Sequence, residues 1–448
     1  MRGLFVANTK QLLRSIDSVG PIPAARWRAT TGGRLSSSSS SSGEENAMLR
    51  HLISKIKATG PISVAEYMRE ALTNPAMGYY VKKNMLGADG DFVTSPEISQ
   101  IFGELLGVWA VSEWMAAGRP DRLQLVELGP GRGSLAADVL RVFGQLRSVL
   151  SAASASLHLV EVSPVLSRLQ ARTLIGTEGA EAEEPVYKSG RTSAGTPVSW
   201  YRRLDDVPPG FSIFLAHEFF DALPVHKFQR TERGWREVMV DADPDAPGRL
   251  RLAVAPAPTL ASVTLVQVRY KPDETRDHVE VCAEGGVVVR QLARRVSGHG
   301  GAALIADYGH DGTKTDTFRG FKGHRLHDPL EAPGCADLTA DVDFSYVRRV
   351  AEPLAACVGP LAQRVFLRNM GIDVRMQVLL RNCDRSAREQ LTASYRVLMD
   401  GAEMGERFLF MALLHPSRLE EPEMAAGLKL QKKKPAQLPV AGFAQLHF

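Results

Sequence analysis

The run from Leu125 to Gly133, Leu-Val-Glu-Leu-Gly-Pro-Gly-Arg-Gly, is an apolar stretch that meets an acid and then carries glycine at every second position. A buried parallel strand that runs into Gly129, Gly131 and Gly133, just ahead of the helical spacing of Leu135 to Val142, presents bare backbone amides at a helix N-terminus. That geometry suits a nucleotide-like ligand. A dinucleotide fingerprint, G-x-G-x-x-G, would place its third glycine at position 134. Ser134 stands there and the third glycine comes one residue early, which weakens a nicotinamide reading.

Alternate glycines with Glu127 two residues ahead of the first have instead the shape of the S-adenosylmethionine loop of Rossmann-like methyltransferases. The plain alternative is a glycine-rich turn that binds nothing. A second acid supports a ligand: Leu157-His158-Leu159-Val160-Glu161 is another short apolar run, and Glu161 falls 28 residues after Gly133. In a doubly wound sheet the end of the second strand lies beside the first loop, so Glu161 can accept hydrogen bonds from both ribose hydroxyls of a nucleoside. Ser163-Pro164 behind it also makes a good helix start, for which Glu161 need only be an exposed acid.

A third strand, Phe211-Ser212-Ile213-Phe214-Leu215-Ala216, is apolar throughout and ends in His217-Glu218-Phe219-Phe220-Asp221-Ala222-Leu223-Pro224. If residues 217 to 222 form a helical turn, Glu218 and Asp221 share a face three residues apart, a paired carboxylate at the sheet's C-terminal edge. The alternative is that both acids merely compensate a helix N-terminus. Upstream, Gly90-Asp91-Phe92-Val93-Thr94-Ser95-Pro96-Glu97 is a polar loop leading into a helix from about Ile98 to Ala117. It serves equally as a lid, with Asp91, Thr94, Ser95 and Glu97 as contacts, or as a connector whose last residues start that helix.

These side chains need an α/β frame. Apolar spacing predicts helices over 44–60 and 61–72, an N-terminal cap that with the lid fills 43–120. The sheet and its insertions follow over 121–415. Strands are expected at 198–201 and, in a β-rich insertion of about 230–280, at 237–240, 249–254 and 263–270. Ala302-Ala303-Leu304-Ile305-Ala306 resumes the sheet and ends at Asp307-Tyr308-Gly309, followed by a loop with Arg319, His324 and Arg325. A helical insertion over 343–400 precedes a closing strand at 407–414, and the tail 416–448 is expected to stay solvated and mobile.

The chain of 448 residues, 44% hydrophobic, has ample length for this core, and no apolar run is long enough to span a bilayer. Its net charge of +4 is too small to predict nucleic-acid binding. Even that charge is unevenly placed. Residues 1–42 hold Arg2, Lys10, Arg14, Arg26, Arg28 and Arg34 against the single acid Asp17, so the remainder is slightly acidic. With Leu4, Phe5, Leu12, Leu13 and Ile16 available for one helical face and seven serines from Ser36, this segment reads as a mitochondrial transit peptide and linker, with the matrix as destination. A disordered basic tail is the alternative. Cys282, Cys335, Cys357 and Cys383 form no C-x-x-C pair and no H-E-x-x-H occurs, so no metal is expected.

Six segments in this order resemble the MidA-type S-adenosylmethionine-dependent methyltransferases: 90–97, Phe102-Gly103-Glu104, 127–133, 217–224, Asp307-Tyr308-Gly309 and Asp337-Leu338-Thr339-Ala340-Asp341-Val342-Asp343-Phe344. The resemblance covers about residues 47–415. It implies a Rossmann-like class I methyltransferase sheet and S-adenosyl-L-methionine as cofactor, held by Glu127, Gly129, Gly131, Gly133 and Glu161. The family's mitochondrial members imply an arginine-containing protein substrate, a core subunit of respiratory complex I, and symmetric dimethylation during complex I assembly. Glu218 and Asp221 are then the catalytic pair, with His217 and Asp307 as further contacts. Bacterial relatives commonly carry asparagine in place of His217, so no catalytic role comes over to that imidazole. A non-catalytic assembly chaperone that binds the same cofactor is the other reading.

Overall fold

The computed structural model describes residues 41–82, 94–151, 153–267, 274–419 and 439–444. Asp91 and residues 1–40, where a transit peptide is expected, lie outside them. Seven strands make the body of the central sheet: β1 (Arg122–Leu128), β2 (Ser154–Val160), β3 (Pro197–Tyr201), β4 (Ser212–His217), β5 (Gly301–His310), β6 (Ala356–Ala362) and β7 (Phe408–Leu414). Their spatial order is β6-β7-β5-β4-β1-β2-β3, and two short strands, Lys188–Arg191 and Ala180–Glu181, extend it past β3. β1 to β5 are parallel, whereas β7 runs antiparallel to both β5 and β6. The chain steps outward from β1 through β2 and β3, then returns to place β4 on β1's other side. Loops after β1 and β4 therefore diverge at one point and leave a crevice at the strands' C-terminal ends.

Both faces of the sheet are covered, which is why β1, β4 and β5 read as near-continuous apolar runs. On one face pack α1 (Gln100–Ala116) and α2 (Ser134–Gln145), burying Trp109, Trp114, Leu135 and Val139. α3 (Pro164–Ile175) follows β2; Ser163 caps it by accepting the Leu166 N–H at 3.2 Å, and left-handed Gly176 ends it. The opposite face is covered by α4 (Ala283–His299), through Val289, Leu292 and Val296.

Helices Ser41–Thr59 and Val64–Thr73 form the cap, with Met48, Leu52 and Ile56 packed on Tyr67, Met68 and Leu72. Ile62–Ser63 between them pairs with Gly234–Ala242 and so ties the cap to a second sheet containing His226–Thr231, Leu250–Val254 and His278–Val281.

Four local expectations differ from what forms. Of the strand expected at 263–270, residues 268–270 lie outside the described residues, and Ser262–Gln267 is a π-helical turn. Reciprocal bonds between the backbone N–H and side-chain oxygen of Thr259 and Ser262 start that turn, overriding the β-branched pattern. The 343–400 segment is helical except for β6, an edge strand that tolerates Gly359-Pro360 because the ladder slips between Val358 and Leu361. The C-terminal tail is not wholly solvated: Val440 and Ala441 are buried, and Asn369 holds the Gly442 carbonyl at 2.9 Å. Finally, residues 217–222 do not make a helical turn, as described below. Among the described residues no helix is long and apolar enough to cross a membrane, and no cluster of His, Cys, Asp and Glu could hold a metal ion.

Candidate active site

Gly129, Gly131 and Gly133 all have left-handed backbone, with φ of 60°, 53° and 82°. This is the conformation that side chains with a Cβ resist, so glycine at alternate positions is a backbone requirement of the bend. The bend delivers the chain into α2 with Gly133 as its N-cap. Beneath it the Glu127 carboxyl is buried at the end of β1, and its Oε2 has no hydrogen-bond partner among the described residues. Burial pushes its pKa up to about 8, against the pull of the Ala136 N–H.

Glu161 follows β2 and is also buried. Its Oε1 accepts the Ser163 N–H at 2.7 Å and its Oε2 the Gln170 side-chain amide at 2.9 Å; burial lifts its pKa to about 7. Gln170, wholly buried on α3, also donates to the Gly131 carbonyl at 2.8 Å and accepts from Trp200 Nε1 at 3.0 Å. One amide thus joins the glycine bend, the acid after β2 and the sheet. Sequence reading missed it, because a glutamine on an amphipathic helix looks like a solvated residue. Beside Glu161, Val162 leaves 54% of its surface exposed.

The β4 end carries the second half of the site. Glu218 sits at φ +48°, a strained conformation for a side chain with a Cβ, while its N–H still bonds the Ala306 carbonyl at 3.0 Å. Asp307, expected to be a lid or substrate contact, is instead wholly buried behind this turn. Its Oδ2 accepts the N–H groups of Phe219, Phe220 and Asp221 at 3.2, 2.9 and 3.3 Å, and its Oδ1 accepts that of Tyr308 at 2.9 Å. Four backbone donors on one carboxylate explain how the strained turn is held. His217 is a packing residue, its ring stacked on Phe408 at a centroid distance of 6.0 Å. Burial lowers its pKa to about 3, so the imidazole lies 3.4 Å from Glu218 as a neutral ring.

Thr94 to Glu97 docks on both halves. Thr94 and Glu97 form a capping box, the Ser95 N–H points at Glu218 Oε1 at 3.5 Å, and Glu97 lies 3.9 Å from Arg132 of the glycine bend. The structure therefore brings Thr94, Ser95 and Glu97 together with Glu218.

Three carboxyls here are perturbed in one direction, Asp307 among them, raised by its burial and then by the charges of Asp221 and Glu218. Glu218 titrates well above its ordinary range, through burial and then the charge of Asp221, with Glu97 and Asp337 adding to it. Asp221 rises to about 6 through burial, held back by the Arg319 guanidinium. Like charges crowded in a dry site are unfavourable alone and favourable around a cation. The arrangement can therefore grip a positively charged, hydrogen-bond-donating group and accept a proton from it.

The three-glycine bend, the unpartnered Glu127 oxygen and the buried Glu161 carboxyl make a lining that fits S-adenosylmethionine. Comparisons agree with the geometry. Residues 105–360 match a family model described as a putative S-adenosyl-L-methionine-dependent methyltransferase. A Danio rerio relative named "Protein arginine methyltransferase NDUFAF7, mitochondrial" is 63% identical over 91% of this chain and 95% of its own. The Homo sapiens relative of the same name is 58% identical over 91% and 93%. A Burkholderia thailandensis crystal structure bound to S-adenosyl-homocysteine superposes with a TM-score of 0.66 at 27% identity, covering 84% of this chain and 93% of that one. The sheet is that of a class I methyltransferase, and the chain belongs to the S-adenosyl-L-methionine-dependent methyltransferase family.

Proposed function

We propose that this methyltransferase acts on an arginine side chain of a protein in the mitochondrial matrix, a core subunit of respiratory complex I, and that Glu218 and Asp221 are the groups that hold the acceptor. The observation that carries the arginine reading is the acidic edge beside the donor crevice: Glu218 and Asp221, with Glu97, Asp337 and Asp341 near them and Arg319 drawn to Asp341 at 2.7 Å. The relatives' names support arginine as the acceptor residue and the mitochondrion as the organelle. Symmetric dimethylation is the product that the family resemblance implies.

When bound, S-adenosylmethionine supplies an electrophilic methyl carbon. The chain's tasks are to align the acceptor nitrogen and to keep water away. An arginine stays protonated in water, with a pKa above about 12, so its planar fork meets two carboxylates through charge-assisted bonds. Its arrival also favours the ionised form of Glu218 and Asp221, which then accept the proton released on transfer. His217, buried and neutral behind Glu218, takes no part.

The test is Glu218→Gln, assayed with labelled methyl donor and mitochondrial extract, followed by mass spectrometry of the labelled residue. Donor affinity should persist while transfer to arginine disappears. Full transfer in that variant, or label on a residue other than arginine, would remove the assignment.

A further inference from the structure

We propose that Tyr80 of the cap is a positioning residue that fixes the acceptor carboxylates against the donor crevice. This inference rests on the acceptor assignment above.

Tyr80 lies in the single helical turn Tyr79–Lys82, with its neighbour Tyr79 buried and meeting its ring edge-on at 5.3 Å. Its two polar ends face opposite halves of the site. On the donor side, the Tyr80 carbonyl accepts the Ser163 hydroxyl at 2.7 Å. Ser163 is the residue whose N–H binds Glu161, and its oxygen already accepts the Leu166 N–H, so its one hydroxyl proton goes to Tyr80. On the acceptor side, the Tyr80 phenol donates to Asp337 Oδ1 at 2.6 Å.

Asp337 opens the short strand Asp337–Thr339, and the next residue, Ala340, donates its N–H to the Asp221 carbonyl at 3.0 Å. Tyr80 therefore holds the strand that in turn holds Asp221. The charges of Asp337 and Asp221 both act on the phenol and, with its burial, keep it protonated and donating. Hydrogen bonds thus link the acid beside the ribose to the backbone of the acceptor carboxylate, and this one cap residue spans the gap between them. Methyl transfer needs donor and acceptor aligned to a fraction of an ångström, and a misplacement of about 1 Å is enough to lower the rate roughly a hundredfold.

Tyr80→Phe separates this role from folding. It keeps the ring and the backbone carbonyl that Ser163 uses, and deletes only the bond to Asp337. Purified full-length variants are compared for the initial rate of label transfer to mitochondrial extract at saturating donor, for S-adenosylhomocysteine affinity by calorimetry, and for melting temperature. The expected result is a rate at least about tenfold lower, with donor affinity within about twofold and melting lowered by no more than about 3–6 °C, the cost of one buried hydrogen bond. Asp337→Ala should lose at least as much, because it also removes a charge of the acidic edge, and the double variant should lose little more than Asp337→Ala alone, because the shared bond is already gone.

Three results would overturn the inference: an undiminished rate in Tyr80→Phe, losses that multiply in the double variant, or a fall in melting temperature and donor affinity in step with the rate. The last would make Tyr80 a structural residue only. A wild-type protein that labels no arginine would sink the acceptor assignment first, and this inference with it.

Discussion

Gln170→Leu isolates the donor half of the site. The substitution keeps roughly the same volume and removes every polar atom from a wholly buried position. Three partners lose a bond: the Gly131 carbonyl at 2.8 Å, Glu161 Oε2 at 2.9 Å and Trp200 Nε1 at 3.0 Å. A buried group left unsatisfied costs about 1–3 kcal/mol, and more when it is charged. Gly131 borders the crevice and can turn to water, and Glu161 keeps the Ser163 N–H, so the total should fall near 3–5 kcal/mol rather than at the sum of the maxima.

That loss divides between fold and ligand. The Trp200 bond belongs to the protein alone and should appear as a melting temperature lowered by about 3–6 °C, at roughly 2–4 °C per kcal/mol for a large domain. The other two bonds set the bend and aim Glu161. Their loss should weaken S-adenosylhomocysteine by about 1–2 kcal/mol, a rise in Kd on the order of 5–30-fold. Calorimetry gives the affinity and thermal denaturation with and without ligand gives the rest. A lowered melting temperature with an unchanged Kd would show that Gln170 supports the fold without shaping the donor site, and the reasoning would fail.

Other outcomes follow from the same geometry. Acceptor affinity should improve as pH rises through the titration of Asp221 near 6, with Glu218 also shifted upward by burial, while the arginine stays charged, so an acceptor KM that is flat from about pH 5 to 7 would contradict the clamp. Stability should run the other way for Glu127. Its folded pKa of about 8 exceeds the ordinary 4.5, so the folded state holds the extra proton in between and loses stability as pH rises across that window, by up to about 1.4 kcal/mol per pH unit. Glu127→Gln should flatten that slope in denaturation curves. Gly442→Ala should destabilise by about 2–4 kcal/mol, because its Cβ would lie 2.3 Å from the Phe366 ring at a φ of +77°; an unchanged denaturation midpoint would mean that the 439–444 segment does not dock in solution.

The sheet was legible because its strands obey two simple constraints. β1, β4 and β5 are covered on both faces and so carry near-continuous apolar runs, each meeting an acid toward or just past its C-terminal end. The glycine bend was legible because left-handed backbone excludes most other residues. What escaped depends on contacts between segments far apart in sequence. Asp307 closes an apolar run in the sequence just as Glu161 does, and only the fold shows it inside β5 and turned onto the 219–221 backbone. Gln170 and Tyr80 carry no motif, since a lone polar residue on a helix says nothing until its partners are placed. Val440 and Ala441 follow a long polar stretch and are too short a run to announce burial. β6 contains Gly359-Pro360, which reads as a break and is accommodated only because the strand lies at the sheet's edge.

The strain at Glu218 and the charge crowding around it have a common logic. A left-handed backbone at a residue with a Cβ costs on the order of 1 kcal/mol, and each buried carboxyl raised in pKa opposes folding wherever it must ionise. Asp307 offsets part of this with four backbone donors, and Ser95 offers Glu218 a fifth N–H from the segment before α1. These contacts hold the acids together without neutralising them. A cation supplied from outside completes the site, so acceptor binding should itself stabilise the fold. The melting temperature should rise with an arginine-containing acceptor peptide in the wild type and rise less in Glu218→Gln. Equal shifts in the two proteins would show that the acidic edge is not where the acceptor binds.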